Sequence, residues 1–200
     1  MLLHWSPTSP YVRKVMAVAI IRGLDGRIEQ VPTNPHLSPE SLLAHNPLSR
    51  VPCLVPDDGP PLYDSPVICE YLDSLGDAPA LFPAAGPARW AALRLQALGD
   101  GILDAAVPRR ASAALPQDEG RQAFEARQQA AMRRGVDALE AEAGSLGPLA
   151  TIGDIAAACA LGYLDFRFAH EPWRDSHPRL AAWLDSVAPL PPLARTAPQG

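Results

Sequence analysis

Cysteine is scarce in this chain and poorly placed for chemistry: Cys53, Cys69 and Cys159 are the only three in 200 residues. They are odd in number, far apart, and each sits inside an apolar periodic run. No C-x-x-C occurs, so dithiol exchange of the thioredoxin type is unsupported, and the three read as small buried hydrophobes of a reducing compartment. The five histidines, His4, His36, His45, His170 and His177, lack H-E-x-x-H or any other ligand spacing, so no metal is expected. A basic stripe is missing too. The net charge is -5, and the pairs Arg109-Arg110 and Arg133-Arg134 read as solvated helix faces. Nucleic acid and anionic membrane surfaces are therefore excluded as main partners. No apolar run approaches membrane-spanning length and no cleavable leader pattern opens the chain, which places the protein in the cytoplasm. Gly-rich phosphate loops, nucleophile elbows and internal repeats are also absent.

What is present is a globular composition, 48% hydrophobic, punctuated by 23 prolines and 14 glycines that fall mostly between periodic segments. The most informative stretch runs from Asn46 to Tyr71. Val51-Pro52 opens the apolar run Cys53-Leu54-Val55, and a proline, lacking an N–H, can start a strand but cannot sit inside one. A cis Val51-Pro52 bond, which the sequence permits without showing it, would turn the main chain of Val51 outward to pair with an extended peptide as an added strand. After the turn Asp57-Asp58-Gly59-Pro60 and a short strand Pro61-Leu62-Tyr63 comes Asp64-Ser65-Pro66. Ser65 reads as an N-cap and Pro66 as the first helical residue of a helix ending at Gly76. The positive end of that helix and the Ser65 hydroxyl suit a carboxylate, and Asp64 suits an ammonium. A ligand with a peptide middle and an amino-acid end fits both features.

Elsewhere, Met1 to Trp5 reads as a buried strand and Ser9-Pro10 as a second capped helix start, carried to Gly23. Arg27 to Pro32 alternates like a strand, the stretch from Thr33 is a loop, and Ser38-Pro39-Glu40 opens a short helix to His45. These elements give β-α-β-α-β-β-α over residues 1–76. The stretch 77–87 is dense in proline and glycine and reads as a linker. Residues 88–200 show only helical periodicity, with helices over 88–114 and 117–143, Pro108 kinking or interrupting the first, and a proline-rich surface tail from Pro189. Thr151-x-x-Asp154 is a capping-box pattern opening a buried apolar helix, a structural device whose loss costs about 1 kcal/mol or more.

The ordered set S-P-Y-V-R-K, V-P-x-L, D-S-P and T-x-x-D resembles the glutathione S-transferase family, and the first motif is similar to that of bacterial members. The resemblance implies an α/β thioredoxin-like N-terminal domain and an all-α helical bundle, in a cytoplasmic homodimer that uses glutathione as co-substrate and attacks small hydrophobic electrophiles. In such proteins a residue after the first strand holds the sulfur of glutathione. Ser9 is the first choice here, Thr8 the second and Ser6 the third. A hydrogen bond from the hydroxyl, helped by the helix end, brings the thiol down from about 8.5 toward neutrality. Serine in place of cysteine at position 9 removes the enzyme thiolate that mixed-disulfide chemistry needs, leaving conjugation or peroxide reduction by glutathione itself. The resemblance further implies that Val51 and Pro52 hold the cysteinyl, Asp64 and Ser65 the γ-glutamyl end, and His36 and Arg50 the glycyl carboxylate. It also implies an electrophile pocket drawing on Tyr11, Asp100, Asp104 and Tyr163. Two rivals remain: a non-catalytic binding protein of the same fold, and a thiol–disulfide oxidoreductase using one of the three cysteines.

Overall fold

A computed structural model describes residues 1–198, and the chain divides into two compact units. One comprises Met1–Pro83 and the segment from Leu190 onward, the other Ala84–Pro189.

The first unit opens with β1 (Leu2–Trp5), whose Leu3 and His4 are buried. Ser9 then caps α1 (Pro10–Ile21), with Pro10 at the first helical position, where its missing N–H has no intrahelical partner to lose. Gly23 ends this run at φ +68, a conformation that favours glycine. β2 (Glu29–Pro32), α2 (Glu40–Leu43), β3 (Cys53–Val55) and α3 (Ser65–Leu75) follow. The sheet order is β2-β1-β3, with β1 parallel to β2 and antiparallel to β3. α1 packs on α3, and the buried Val15, Val18, Ile68 and Leu72 give this unit a continuous apolar interior with Leu3, Cys53 and Leu54.

Three local readings are corrected. The expected fourth strand shrinks to one bridge between Leu54 and Leu62, because Pro60 and Pro61 have no N–H with which to extend the ladder. The second helix starts at Glu40 with Pro39, not Ser38, at the cap, since Ser38 adopts a left-handed conformation at φ 44. Likewise Asp64 occupies the cap of α3 and Ser65 is its first helical residue.

In the second unit α4 (Gly86–Ser112), α5 (Glu119–Glu142), α6 (Ile152–Arg167) and α7 (Pro178–Val187) form a bundle in which α4 packs on both α5 and α6. Pro108 lies inside α4 without interrupting it. The crossing of α4 and α6 is close: a Cβ on Gly99 would stand 2.8 Å from the Ala156 carbonyl carbon, and one on Gly153 2.9 Å from the Ala92 oxygen. Larger residues at either position would push the helices apart. Thr151 and Asp154 start α6 reciprocally, Thr151 N–H donating to Asp154 Oδ2 at 2.8 Å and Asp154 N–H to Thr151 Oγ1 at 3.3 Å.

The segment after Pro189, read as a surface tail, belongs to the first unit and forms a short α8 (Pro191–Ala194). Its Leu193 is buried against α1, Arg13 donates to the Leu193 carbonyl at 3.2 Å, and Arg195 pairs with Asp25 at 2.6 Å. Leu81 and Phe82, in the stretch read as linker, donate their N–H groups to the buried Asp73 carboxylate at 2.9 and 3.1 Å.

Candidate functional site

Strand register collects the sequence-chosen residues of the first unit at one end of its sheet. His4 lies opposite Cys53 in the antiparallel β1–β3 pair, so the chain leaving Trp5 toward Thr8 and Ser9 emerges beside Pro52 and Val51. Leu54 bridges Leu62, also antiparallel. Val51 stands three residues before one partner and Ser65 three residues after the other, so both lie toward that same end. Trp5 is paired in parallel with Pro32, and the loop that carries His36 therefore departs from there too.

At this end the Val51-Pro52 peptide bond is cis, as is Tyr63-Asp64. The N–H and C=O of Val51 pair with no backbone group among the described residues. β3 begins two residues later, so this stretch offers an unpaired strand edge.

The two serines proposed from sequence behave differently. Ser9 is a working cap: its Oγ accepts the Val12 N–H at 3.3 Å. That bond uses a lone pair and leaves the hydroxyl proton available for donation. Thr8 is half-buried in the preceding turn and has no capping role. Ser65, by contrast, is 1% exposed, and neither it nor Asp64 caps α3. An eleven-residue helix thus begins without a side-chain cap, its first-turn N–H groups and the Ser65 hydroxyl available to an anion. Asp64 itself is exposed.

His36 and Arg50 are both exposed. His36 sits in a turn closed by its own N–H on the Asn34 side chain at 3.1 Å, and Arg50 has no ion-pair partner among the described residues. The electrophile candidates lie on three helices. Tyr11 is in the first turn of α1, Asp100 and Asp104 are on α4, and the buried Tyr163 is on α6, where burial raises its phenol above the ordinary tyrosine value. Cys53 lies beside the site, and burial pushes its thiol up to about 11; all three cysteines are buried and none is in a disulfide. Thiolate chemistry by the protein itself has little support in such surroundings. No group of three or more His, Cys, Asp or Glu arranged for a metal occurs among the described residues.

A histidine pair beneath this end of the sheet escaped the sequence reading. His4 Nε2 lies 2.9 Å from His45 Nδ1, and His4 Nδ1 lies 3.0 Å from Thr33 Oγ1. The Thr33 hydroxyl donates its single proton to the Val31 carbonyl at 2.9 Å. It can only accept from His4, which fixes His4 as the Nδ1–H tautomer and leaves Nε2 to accept from His45. Burial first, and the neighbouring His45 second, hold the His4 pKa below the usual histidine value. No spacing rule joins residues 4, 33 and 45; only the sheet does.

Comparison with known proteins agrees with this architecture. The family model "Glutathione S-transferase, N-terminal domain" matches residues 8–75, and "Glutathione S-transferase, C-terminal domain" matches residues 117–186. The uncharacterized GST-like protein YibF of Escherichia coli (strain K12) is 33% identical, with 99% of this chain and 98% of that protein covered. A glutathione transferase family member from Pseudomonas fluorescens Pf-5, solved with bound glutathione, is 40% identical and superposes with a TM-score of 0.93 over 100% of this chain and 99% of that one. A second structure from that organism, with bound S-(propanoic acid)-glutathione, gives 40% identity and a TM-score of 0.88, with 99% of each chain covered.

Proposed function

Since this chain belongs to the glutathione S-transferase family, we propose that it is a glutathione transferase, which activates the thiol of glutathione for attack on small hydrophobic electrophiles. The observation that carries this reading is the unpaired main chain of Val51 at the same sheet end as the uncapped start of α3. The cysteinyl residue of glutathione pairs as an added strand with the N–H and C=O of Val51. Its γ-glutamyl carboxylate takes the Ser65 hydroxyl and the α3 N–H groups, with the helix dipole adding to the attraction, and Asp64 meets the ammonium. Arg50 and His36 serve the glycyl carboxylate. Bound glutathione in the Pseudomonas fluorescens relative supports glutathione as the ligand.

Ser9 then donates its hydroxyl proton to the sulfur and stabilises the thiolate. The thiol proton passes to solvent, the sulfur lone pair forms the new C–S bond, and the leaving group departs with its electron pair. In peroxide reduction the same thiolate attacks a peroxide oxygen instead. The S–O bond forms as the O–O bond breaks, and the alkoxide or hydroxide leaves with its electron pair and takes a proton from solvent. A second glutathione converts the resulting sulfenic acid to the disulfide and water. The S-(propanoic acid)-glutathione held by the relative is a thioether of the kind conjugation yields. We assign a homodimer to the same reading. Val67 and Leu75 on α3 are exposed at 48% and 37%, apolar surface of the first unit that a second copy would cover.

The non-catalytic alternative rests on one observation: the Ser9 oxygen already has a structural task as the cap of α1. Titration of glutathione into the protein, followed by conjugation of a chlorodinitrobenzene-type electrophile, decides between them. Binding with turnover supports the transferase, binding without turnover the binding protein, and failure to bind glutathione rejects both.

A further inference from the structure

The geometry points to Asn46 as the positioning residue that aims the Val51 N–H at the peptide ligand, an inference that rests on the glutathione reading above. Asn46 is 1% exposed and spends its polar groups on four nearby residues. Its N–H donates to the Leu42 carbonyl at 2.7 Å, anchoring it to α2, and its carbonyl accepts the Ser49 N–H at 3.0 Å. Oδ1 accepts the Leu48 N–H at 3.0 Å, and Nδ2 donates to the Arg50 carbonyl at 3.0 Å. The last of these bonds matters most. The Arg50 carbonyl and the Val51 N–H belong to one planar peptide unit, and in a trans unit they point in opposite directions. The Arg50-Val51 bond is not among the cis bonds of the described residues. A donor that grips the carbonyl from inside the protein therefore turns the Val51 N–H outward, where the cysteinyl carbonyl of glutathione has to meet it.

The turn between is held from its other side as well. Ser49, at φ 51, donates its hydroxyl to the Pro35 carbonyl at 3.0 Å and lies 2.9 Å from the Ser38 hydroxyl. That contact ties the turn to the loop carrying His36 but does not touch the Arg50–Val51 peptide, so the direction of the Val51 N–H depends on Asn46. Arg50, exposed and outside the sheet, has no other hold on its carbonyl among the described residues. Asn46 acts through Val51 without touching the ligand, and its loss should affect binding of one specific ligand group.

The test compares glutathione with an analogue whose cysteinyl–glycyl amide is an (E)-alkene and so lacks the carbonyl that Val51 N–H would meet. In the wild type the analogue binds about tenfold more weakly than glutathione, the effect of one lost hydrogen bond. In Asn46→Ala, glutathione itself weakens about tenfold, the difference between the two ligands shrinks to about twofold, and kcat at saturating glutathione stays within about twofold of wild type. An undiminished difference in the variant overturns the role of Asn46, whereas equal binding of both ligands by the wild type overturns the underlying site. Should the variant fail to fold, hydrogen exchange in the wild type serves. Glutathione slows exchange at Leu48, Ser49 and Val51 together if Asn46 couples them, and protection of Val51 alone refutes it.

Discussion

Ser9 Oγ accepts the Val12 N–H at 3.3 Å, so the hydroxyl proposed to steady the glutathione thiolate also closes the first turn of α1. Structure and chemistry share one oxygen through its two capacities, accepting with a lone pair and donating with its proton. Ser9→Ala removes both. We expect a stability loss of about 1 kcal/mol from the missing cap and, separately, a fall in kcat/KM of at least about tenfold with the dissociation constant of glutathione kept within about twofold. Thr8→Ala should leave turnover close to wild type. Steady-state kinetics alongside calorimetric titration separates these effects, and a larger loss in Thr8→Ala than in Ser9→Ala would move the thiol partner to Thr8.

Ser65 carries no such structural duty, because α3 starts without a side-chain cap. Ser65→Ala should therefore leave the melting temperature unchanged while weakening glutathione about tenfold, the scale of a hydrogen bond to a charged group. Asp64→Asn should weaken glutathione but not an analogue lacking the α-amino group. Equal losses for both ligands would remove Asp64 from ammonium recognition.

Asp154 is buried and accepts three bonds: Thr151 N–H, Thr151 hydroxyl at 3.1 Å, and Gly147 N–H at 3.0 Å. The Gly147 contact lies outside the capping box and adds a second orphaned amide if the carboxylate is lost. Asp154→Ala should cost about 2 kcal/mol or more in urea unfolding, with glutathione affinity of the folded fraction unaltered. Retained stability would mean that α6 does not depend on this cap.

His4 links stability to pH. Its folded pKa is held below the ordinary 6.5, so the unfolded chain binds the proton more readily and the neutral ring favours the fold. The contribution is fully present above pH 6.5 and is lost as pH falls through the folded value. Protonating Nε2 also removes the lone pair that accepts from His45. Wild type should thus lose stability from about pH 6.5 downward relative to His4→Phe, measured by denaturant unfolding between about pH 5 and 8. Parallel curves for the two proteins would exclude His4 as the source.

The cysteines should be silent. With Cys53 pushed up to about 11 and all three buried, a thiol reagent should label native protein far more slowly than urea-unfolded protein. Rapid labelling of one thiol in the native state would reopen the oxidoreductase reading.

Residue order alone determined the features that act over one helical turn or one strand. Ser9-Pro10 and Thr151-x-x-Asp154 start helices because a short polar side chain beside its own backbone is a local interaction, legible wherever it occurs. Alternation and apolar runs likewise announced an α/β half and a helical half. Local rules missed by a residue at Ser65, where a cap was read and the first helical residue is found, and at Pro108 α4 runs on without interruption.

Tertiary structure decided what depends on pairing across the chain. That Ser9, Val51, Ser65 and the His36 loop leave one end of the same sheet follows from strand register, which pairs residues as far apart as Leu2 and Val55 by hydrogen bonds no short pattern encodes. The His4–His45–Thr33 chain and the grip of Asn46 on the Arg50 carbonyl belong to the same class. The direction of a peptide plane is a matter of which distant or buried partner satisfies it, and only folding brings that partner into reach.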